Sequence, residues 1–323
     1  MEINNRVCLT TYIYGMKYQA YIPFLVYSCH KAYPEYDIRL FLHEELDPSV
    51  RHLLEYIHKD NLYITEKVFA DCPNMNALKA KSLRWVLWDD AFLDYDYLYV
   101  VDIDMLYIRE PKPLHEQHVE HMQTTGLPYD NLVRCLQRHP FKPRSIAFRM
   151  KNAGLRSFFN YLFGSRKDYR LTGLHFIAVQ PYYSIFTSEL REKYKKKIYD
   201  GSFVSLMMSS NNEAFLYQMM KQVNLHPEKL AIQTQSYKML DFNNCSRPEF
   251  RPHHGIHLGI FSQELNFTQD STLDSDVYGF YVDQFKLLIL SDPVFIQLYN
   301  NSTENIKMIF NRVLSYYKIP EKF

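Results

Sequence analysis

Apolar and polar residues follow two alternating periods over the first hundred positions of the chain. Residues 7–14 form an apolar, β-branched run that ends at Gly15, and residues 18–30 place their apolar positions on one helical face. We predict strands at residues 7–14, 37–42, 61–65 and 97–101, and helices at residues 18–30, 48–58 and 76–92. This alternation is typical of an α/β protein, with a Rossmann-like, mostly parallel central sheet that is flanked by helices.

The pattern is less regular after residue 108. Residues 127–149 hold three prolines and several basic residues, which favours a loop. We predict a strand at residues 171–179, a helix at 211–223, a strand or turn at 251–261, and a largely helical segment at 276–323. A break in that last segment is expected at Asp292 and Pro293, because proline ends or starts a helix.

Two carboxylates follow the most apolar of the predicted strands. Asp102 and Asp104 come after the run at residues 97–101, and their two-residue spacing places both on one side of an extended chain. Two close carboxylates are costly to keep charged unless a cation neutralises them, and Mg²⁺ or Mn²⁺ prefers such oxygen ligands. Ligands bind at the carboxyl ends of the strands in open sheets of this class, where residues 10–14 of the first strand also end. The segment therefore predicts a metal–diphosphate site.

Composition and charge exclude several classes of protein. The 323 residues are 47% hydrophobic and 16% aromatic, which is sufficient for one large domain or two fused lobes. The net charge of +1 argues against a nucleic-acid-binding protein. Nine glycines include no Gly-rich phosphate loop, so metal and side chains would have to hold a diphosphate.

The cysteines and the N-terminal residues indicate the compartment. Five cysteines are scattered without a C-x-x-C pair, so they predict neither a zinc site nor a disulfide framework. No signal-peptide pattern and no run of 18 uncharged apolar residues is present. We expect a soluble protein of the cytoplasm.

The segment around the two aspartates resembles a known family. Arg84 on a predicted helix, the turn Leu-Asp-Tyr-Asp at residues 93–96, and the strand ending in Asp102 and Asp104 are similar to GT-A glycosyltransferases. The resemblance is greatest to family 8, which includes glycogenin and bacterial lipopolysaccharide galactosyl- and glucosyltransferases, and it covers residues 5–260. It implies a GT-A catalytic domain at residues 1–262, with a nucleotide half (1–107) and an acceptor half (108–262). Residues 263–323 would form a helical C-terminal extension.

The resemblance also implies a role for individual residues. Asp102 and Asp104, with Ile103 between them, would bind Mn²⁺ or Mg²⁺ and the ribose-diphosphate of a nucleotide sugar. The first strand would contact the base and ribose, and Arg84 would face the nucleotide sugar. The contacts expected from the first strand are those of Thr10, Thr11 and Tyr12.

A late histidine completes the metal shell in this family, within the motif H-x-x-G-x-x-K-P-W. Residues 253–261 of this chain read His-His-Gly-Ile-His-Leu-Gly-Ile-Phe, so the histidine and glycine are present and the Lys-Pro-Trp end is missing. We favour His257 as the ligand, because it comes just before a second small residue, Gly259, in a strand-like run. His254 is the alternative.

Two more segments match the family by position. Residues 171–176, with Gly173 and His175, resemble the segment that holds the donor sugar and the acceptor. Glu213 follows two asparagines and resembles the family's acidic element. His175 and Glu213 are therefore candidates for catalytic or sugar-orienting groups.

The expected reaction is transfer of a hexose from a UDP-linked sugar to a glycan or glycolipid hydroxyl. Retention of configuration follows if the resemblance to family 8 holds, whereas an inverting enzyme would need a carboxylate base, for which Glu213 is the candidate. A DxD-type phosphohydrolase, a sugar nucleotidyltransferase and a degenerate nucleotide-sugar-binding module remain alternatives.

The basic run at residues 191–197 is expected on a solvated helix face, with contact to a membrane surface as the alternative. The C-terminal helices are expected to cover the core, with a homodimer contact as an alternative.

Overall fold

The computed structural model describes residues 6–57, 60–137, 167–206, 211–235, 255–262 and 276–319. The chain divides into two compact units, each made of separate stretches of sequence. The first unit comprises Met1–Ala70, Val101–Gln117 and His253–Phe323, and the second comprises Asp71–Val100 and His118–Pro252. One sheet has six strands and is mixed and mostly parallel. The expected α/β class, with helices flanking a mostly parallel sheet, is confirmed.

The described strands are β1 (Val7–Ile13), β2 (Asp37–Leu42), β3 (Leu62–Thr65), β4 (Tyr97–Val100), β5 (Met105–Tyr107), β6 (Tyr129–Asp130), β7 (Val133–Gln137), β8 (Lys167–Leu171), β9 (His175–Ala178), β10 (Ile232–Gln235) and β11 (Gly255–His257). The described helices are α1 (Met16–Gln19), α2 (Ile22–Ala32), α3 (Pro48–Leu54), α4 (Ala77–Leu83), α5 (Leu114–Thr125), α6 (Val179–Ile185), α7 (Ser188–Asp200), α8 (Asn212–Gln222), α9 (Asp276–Gln284), α10 (Pro293–Asn300) and α11 (Glu304–Tyr316). A π-helical turn, Phe285–Ile289, follows α9.

Parallel strands in the order β3-β2-β1 form the sheet of the first unit. Cys8 of β1 is paired with Asp37 of β2, and Ile38 of β2 with Leu62 of β3. All seven residues of β1 are buried, as expected for a parallel strand that is covered on both faces. Parallel pairing brings the carboxyl ends of these three strands to one edge, where the loops that follow them meet.

Helices from the end of the chain cover the core of the first unit. The ring of Phe24 on α2 lies 4.9 Å from Phe310 of α11 and 6.0 Å from Phe295 of α10, measured between centroids. The break predicted at Asp292 and Pro293 is confirmed, because the Asp292 carboxylate accepts a hydrogen bond from the Val294 amide and caps α10. No helix in the described part of the chain has the length and apolar character needed to cross a membrane.

Two helices predicted in this half of the chain are shorter than expected. The helix predicted at residues 18–30 is two helices, because α2 begins only at Ile22, with Pro23 in its first turn. The helix predicted at residues 76–92 ends at Leu83 and continues as 3₁₀ turns. The chain becomes extended at Leu87, and Asp89 caps the second 3₁₀ turn, because its carboxylate accepts from the Ala91 amide.

The second unit holds antiparallel pairs. β4 and β6 both pair antiparallel with β9, and a separate three-stranded sheet has the order β10-β7-β8. The loop predicted at residues 127–149 is therefore wrong for its first part, which forms β6 and β7. The strand predicted at residues 171–179 is also two strands, β8 and β9, with a bend between them.

Helix α7 differs from its predicted solvated face at one residue. Lys193 and Lys196 are exposed as expected, but Arg191 is buried. Its guanidinium lies 3.9 Å from the ring centroid of Trp88 and donates to the carbonyl of Phe186. A planar cation stacked on an aromatic ring keeps its charge while it packs.

Candidate functional site

The two aspartates lie where the chain leaves β4 and enters β5. The amide of Val101 donates to the carbonyl of Thr10 over 3.0 Å, which fixes this turn against β1. Burial alternates from there, with Asp102 and Asp104 half-buried and Ile103 buried between them. Two half-buried carboxylates on either side of a buried residue fit the same-side arrangement that their spacing predicts.

His257 reaches Asp104 through a pair of antiparallel strands. β11 pairs with β5 so that His257 lies opposite Met105, and the Leu258 amide donates to the Asp104 carbonyl over 2.8 Å. The Nε2 atom of His257 lies 3.2 Å from Oδ1 of Asp104. The side chains are 21% and 15% exposed, so the pair is accessible from solvent.

A glycine makes room for this carboxylate. A Cβ atom on Gly259 would lie 1.9 Å from Oδ2 of Asp104 and 3.3 Å from Nε2 of His257. Gly255 is required for another reason, because its φ is +140° and its Cβ would lie 2.2 Å from the carbonyl oxygen of Leu106. Gly255 therefore allows the backbones of β5 and β11 to approach closely, and Gly259 leaves the space that the Asp104 carboxylate occupies.

These groups fit a hard divalent cation. Two ligands that bind at right angles at about 2.1 Å lie about 3.0 Å apart, close to the separation of the Asp104 and His257 atoms. Among the described residues, no three side chains of His, Cys, Asp or Glu form a group that holds a metal by itself. Mg²⁺-type sites commonly combine one or two protein carboxylates with water and substrate phosphates, so a site that needs its substrate fits this donor set.

Tyr21 is a neighbour of Asp104 that the sequence pattern did not reveal. It is buried at the start of α2, and burial and the charge of Asp104 raise its pKa well above the ordinary value. A phenol that stays neutral beside a carboxylate adds no negative charge to the site. His254, the alternative ligand, lies outside the described residues.

The nucleotide contacts predicted on β1 differ in their accessibility. Thr10 and Thr11 are buried within β1. Tyr12 is also largely buried, but its hydroxyl reaches the edge, where it lies 3.0 Å from Nδ1 of His43 and 3.0 Å from the carbonyl oxygen of Val68. The side chain of Tyr12, rather than those of the two threonines, links β1 to the loops that follow β2 and β3.

The second unit contains the remaining predicted site residues. Arg84 is buried in the 3₁₀ turn after α4, and its guanidinium lies 4.1 Å from the ring centroid of Trp85. Gly173 is buried in the bend between β8 and β9. Asn131 holds this bend, because its Oδ1 accepts from both the amide and the hydroxyl of Thr172.

His175 lies in the core of the second unit. Its Nδ1 lies 3.2 Å from the amide nitrogen of Asn131, and its Nε2 lies 3.3 Å from the hydroxyl of Tyr182. Burial lowers the pKa of His175 to about 3, so the imidazole is neutral at physiological pH. These contacts suit a histidine that positions the β8–β9 bend better than one that exchanges protons with a substrate.

Glu213 lies in the first turn of α8 and faces a cation. The Glu213 carboxylate is half-buried, and its Oε1 lies 3.6 Å from the guanidinium of Arg134 on β7. Asn211 caps the helix by accepting from the Glu213 amide over 2.7 Å. Arg134 was not predicted, because nothing in the sequence shows that β7 and α8 meet.

Comparisons with known proteins were made by sequence and by structure. No protein-family profile matches the chain, and no curated protein has a similar sequence. The structure is similar to those of GT-A-type glycosyltransferases, at low sequence identity.

Three of these structures illustrate the similarity. The mannosyltransferase Ktr4p from S. cerevisiae, in complex with GDP, is 11% identical, with a TM-score of 0.39 over 66% of each chain. The galactosyltransferase LgtC, in complex with donor and acceptor sugar analogues, is 15% identical, with a TM-score of 0.35 over 66% of this chain and 70% of LgtC. The core-mannan synthase CmsA/Ktr4 from Aspergillus fumigatus, in its Mn/GDP form, is 8% identical, with a TM-score of 0.38 over 67% and 69%. The chain thus spans slightly under two thirds of the length of Ktr4p.

Proposed function

We propose that the protein is a metal-dependent glycosyltransferase, which transfers a hexose from a UDP-linked sugar to a glycan hydroxyl with retention of configuration. The observation that carries the proposal is the contact between Asp104 and His257 beside Gly259, directly after the strand that leads into Asp102 and Asp104. An oxygen and a nitrogen ligand in this position match a divalent cation that binds a diphosphate.

Asp104 and His257 would hold the cation, and Asp102 would complete its contact with the ribose-diphosphate. The bound cation supplies Lewis-acid stabilisation of the leaving diphosphate, where negative charge increases as the glycosidic bond breaks. Gly259 keeps the Asp104 carboxylate in place by leaving space beside it. The neutral phenol of Tyr21 keeps further negative charge away from that carboxylate.

The residues of the second unit would act on the sugars. The Glu213 carboxylate faces Arg134 and would accept a hydrogen bond from a sugar hydroxyl. Gly173 and Arg84 would contact the donor, and His175 would hold the bend that carries Gly173 through its contact with Asn131. In a retaining reaction Glu213 would only orient the sugar, whereas in an inverting reaction it would have to take a proton from the acceptor hydroxyl.

A donor panel tests the proposal. The protein is incubated with Mn²⁺ and nucleotide sugars, with and without a mixture of glycan acceptors, and released nucleoside diphosphate is measured. We expect release from one donor, and we expect it to be lost on chelation and in the double variant Asp102→Ala, Asp104→Ala. Asp283→Ala is the matched control, because its exposed carboxylate forms a surface ion pair with Lys286 one turn later.

The products separate the alternatives. Free phosphate from a phosphate ester would indicate a phosphohydrolase, and formation of a nucleotide sugar from a sugar phosphate would indicate a nucleotidyltransferase. Metal-dependent binding of UDP without turnover on any acceptor would indicate a binding module. Binding and turnover that are both absent would contradict the proposal, and the anomeric configuration of a product, read by NMR, would decide retention.

A further inference from the structure

Aromatic and histidine side chains meet at the carboxyl ends of the three parallel strands in the first unit. Tyr12 lies near the end of β1, His43 directly follows β2, and Phe69 lies in the loop after β3. The ring of Tyr12 lies edge-on to Phe69 at 5.3 Å, and Tyr14 lies edge-on to His43 at 5.2 Å, measured between centroids. This cluster occupies the edge at which ligands bind in sheets of this class.

The loop after β3 is held against the cluster in a costly conformation. The Val68 amide donates to the carbonyl of Leu42 over 2.8 Å, and its carbonyl accepts from the Tyr12 hydroxyl over 3.0 Å. The residues on either side, Lys67 and Phe69, have positive φ angles of 59° and 55°. An aromatic residue rarely adopts such an angle, and strained backbone of this kind is concentrated at functional sites.

The hydrogen bonds of Tyr12 determine which nitrogen of His43 carries a proton. A phenol has one proton, and the carbonyl oxygen of Val68 is an acceptor only, so the Tyr12 hydroxyl donates there. The contact of 3.0 Å between the Tyr12 oxygen and Nδ1 of His43 then requires Nδ1 to be the donor. A neutral His43 with its proton on Nδ1 has a lone pair on Nε2, and the half-exposed ring makes that lone pair accessible from solvent.

We propose that His43 reads the nucleobase of the donor, with Nε2 accepting a hydrogen bond from the ring N–H of uracil or guanine. This inference rests on the proposed function, since it assigns the base-recognition residue of that site. Uracil and guanine carry a ring N–H at the centre of their pairing edge, where cytosine and adenine have a ring nitrogen that accepts. Nε2 can therefore accept a hydrogen bond from uracil or guanine. With cytosine or adenine, the lone pair of Nε2 would face the lone pair of the ring nitrogen, and the two would repel each other.

N-methylated nucleotides test the proposal. Binding of UDP, GDP, 3-methyl-UDP and 1-methyl-GDP is measured calorimetrically at pH 8 with Mn²⁺, because in the methylated forms a methyl group replaces the ring N–H. We expect the wild-type protein to prefer one parent nucleotide over its methylated form roughly 10-fold, the value of one hydrogen bond. Whether UDP or GDP shows the larger effect identifies the base.

The variant His43→Phe keeps an aromatic ring and removes the acceptor, so the preference should fall to about twofold or less. Tyr12→Phe removes the acceptor for the Nδ1 proton, so it should reduce the preference while His43 is still present. His52→Phe is the matched control, since His52 is exposed on α3 and its ring nitrogens lie beside its neighbours Glu55 and Tyr56. Circular dichroism and thermal melting establish that each variant is folded.

The outcomes separate this inference from the function on which it rests. If the wild-type protein binds UDP but does not distinguish 3-methyl-UDP from it, the base-recognition role of His43 is overturned and the proposed function stands. If it binds GDP instead and does not distinguish 1-methyl-GDP from it, that role and the UDP donor are both overturned. The role of His43 is also overturned if folded His43→Phe retains the 10-fold preference. If no nucleoside diphosphate binds with Mn²⁺, both are overturned.

Discussion

Replacing Gly259 by alanine changes one methyl group beside the proposed metal ligands. The new Cβ would lie 1.9 Å from Oδ2 and 2.9 Å from Cγ of Asp104. Its φ lies outside the left-handed region, so alanine fits the backbone and the effect comes from this contact alone. Because the new Cβ meets the end of a side chain rather than backbone, we expect the fold to survive and the ligand geometry to change.

The size of the effect follows from the distance. The carboxylate must move about 1.1 Å before the contact with the new Cβ reaches 3.0 Å, the shortest separation that real Cβ atoms show. A misplacement of about 1 Å at a reacting centre typically costs about 100-fold in rate, and a disturbed ligand shell costs about 10- to 100-fold in metal affinity. We therefore expect kcat to fall about 100-fold and Mn²⁺ to bind at least about 10-fold more weakly.

Two assays measure this prediction, with a glycine control. Free Mn²⁺ is followed by electron paramagnetic resonance during titration in the presence of UDP, and nucleoside diphosphate release is followed with the donor found in the panel. Gly279→Ala on α9 is the control, since no atom lies within 4 Å of its added Cβ. It should leave both assays unchanged and raise the melting temperature slightly, because alanine favours a helix over glycine. Unchanged Mn²⁺ affinity and rate in folded Gly259→Ala would refute the role given to Asp104.

Two further predictions concern stability against pH in the second unit. Asp130 is fully buried between His118 and His121; burial raises its pKa, but the hydrogen bonds from both histidines lower it more, so it lies below the ordinary value. Its contribution to stability is therefore complete above about pH 4 and is lost as the pH falls through the lowered pKa. Asp130→Asn should cost about 3–5 kcal/mol at pH 7 in urea unfolding, and a cost below 1 kcal/mol would contradict this reasoning. Burial lowers the pKa of His175 to about 3, so only the unfolded chain binds a proton there between about pH 6.5 and 3, and stability should fall by up to about 1.4 kcal/mol per pH unit across that range. His175→Gln should remove this slope between pH 6.5 and 5, and a variant with the wild-type slope would show that His175 is not its source.

Local sequence patterns predicted the elements whose signals are complete within a few residues. The strand at residues 37–42 has the predicted bounds, because every position that faces the core is apolar and turn residues flank it. The helix at residues 76–92 was overextended, since its composition favours a helix throughout. The α-helix ends at Leu83, and Asp89 caps a separate 3₁₀ turn by accepting from the Ala91 amide, a side-chain contact that periodicity does not reveal.

The candidate site likewise contains residues that local sequence patterns predict and residues that only the fold brings to it. Asp102 and Asp104 were predicted from a strand and a two-residue spacing, which are local properties. Tyr21 and His43 were not, because each reaches the site only through folding: α2 brings Tyr21 near Asp104, and parallel pairing brings His43 to Tyr12. Residue types that are common in cores, such as tyrosine, give no signal of function until their neighbours are known.

The pairing of β5 with β11 has a consequence for the order in which the chain folds. Met105 and His257 lie about 150 residues apart along the chain, so their contact closes a long loop, and such non-local contacts form late. At ribosomal rates of about 5–20 residues per second, the aspartates emerge roughly 10–30 s before the histidine. A nascent chain would therefore carry the two carboxylates without their partner, and high-affinity Mn²⁺ binding would appear only in the last stage of refolding, as a natural reporter that the first unit is complete.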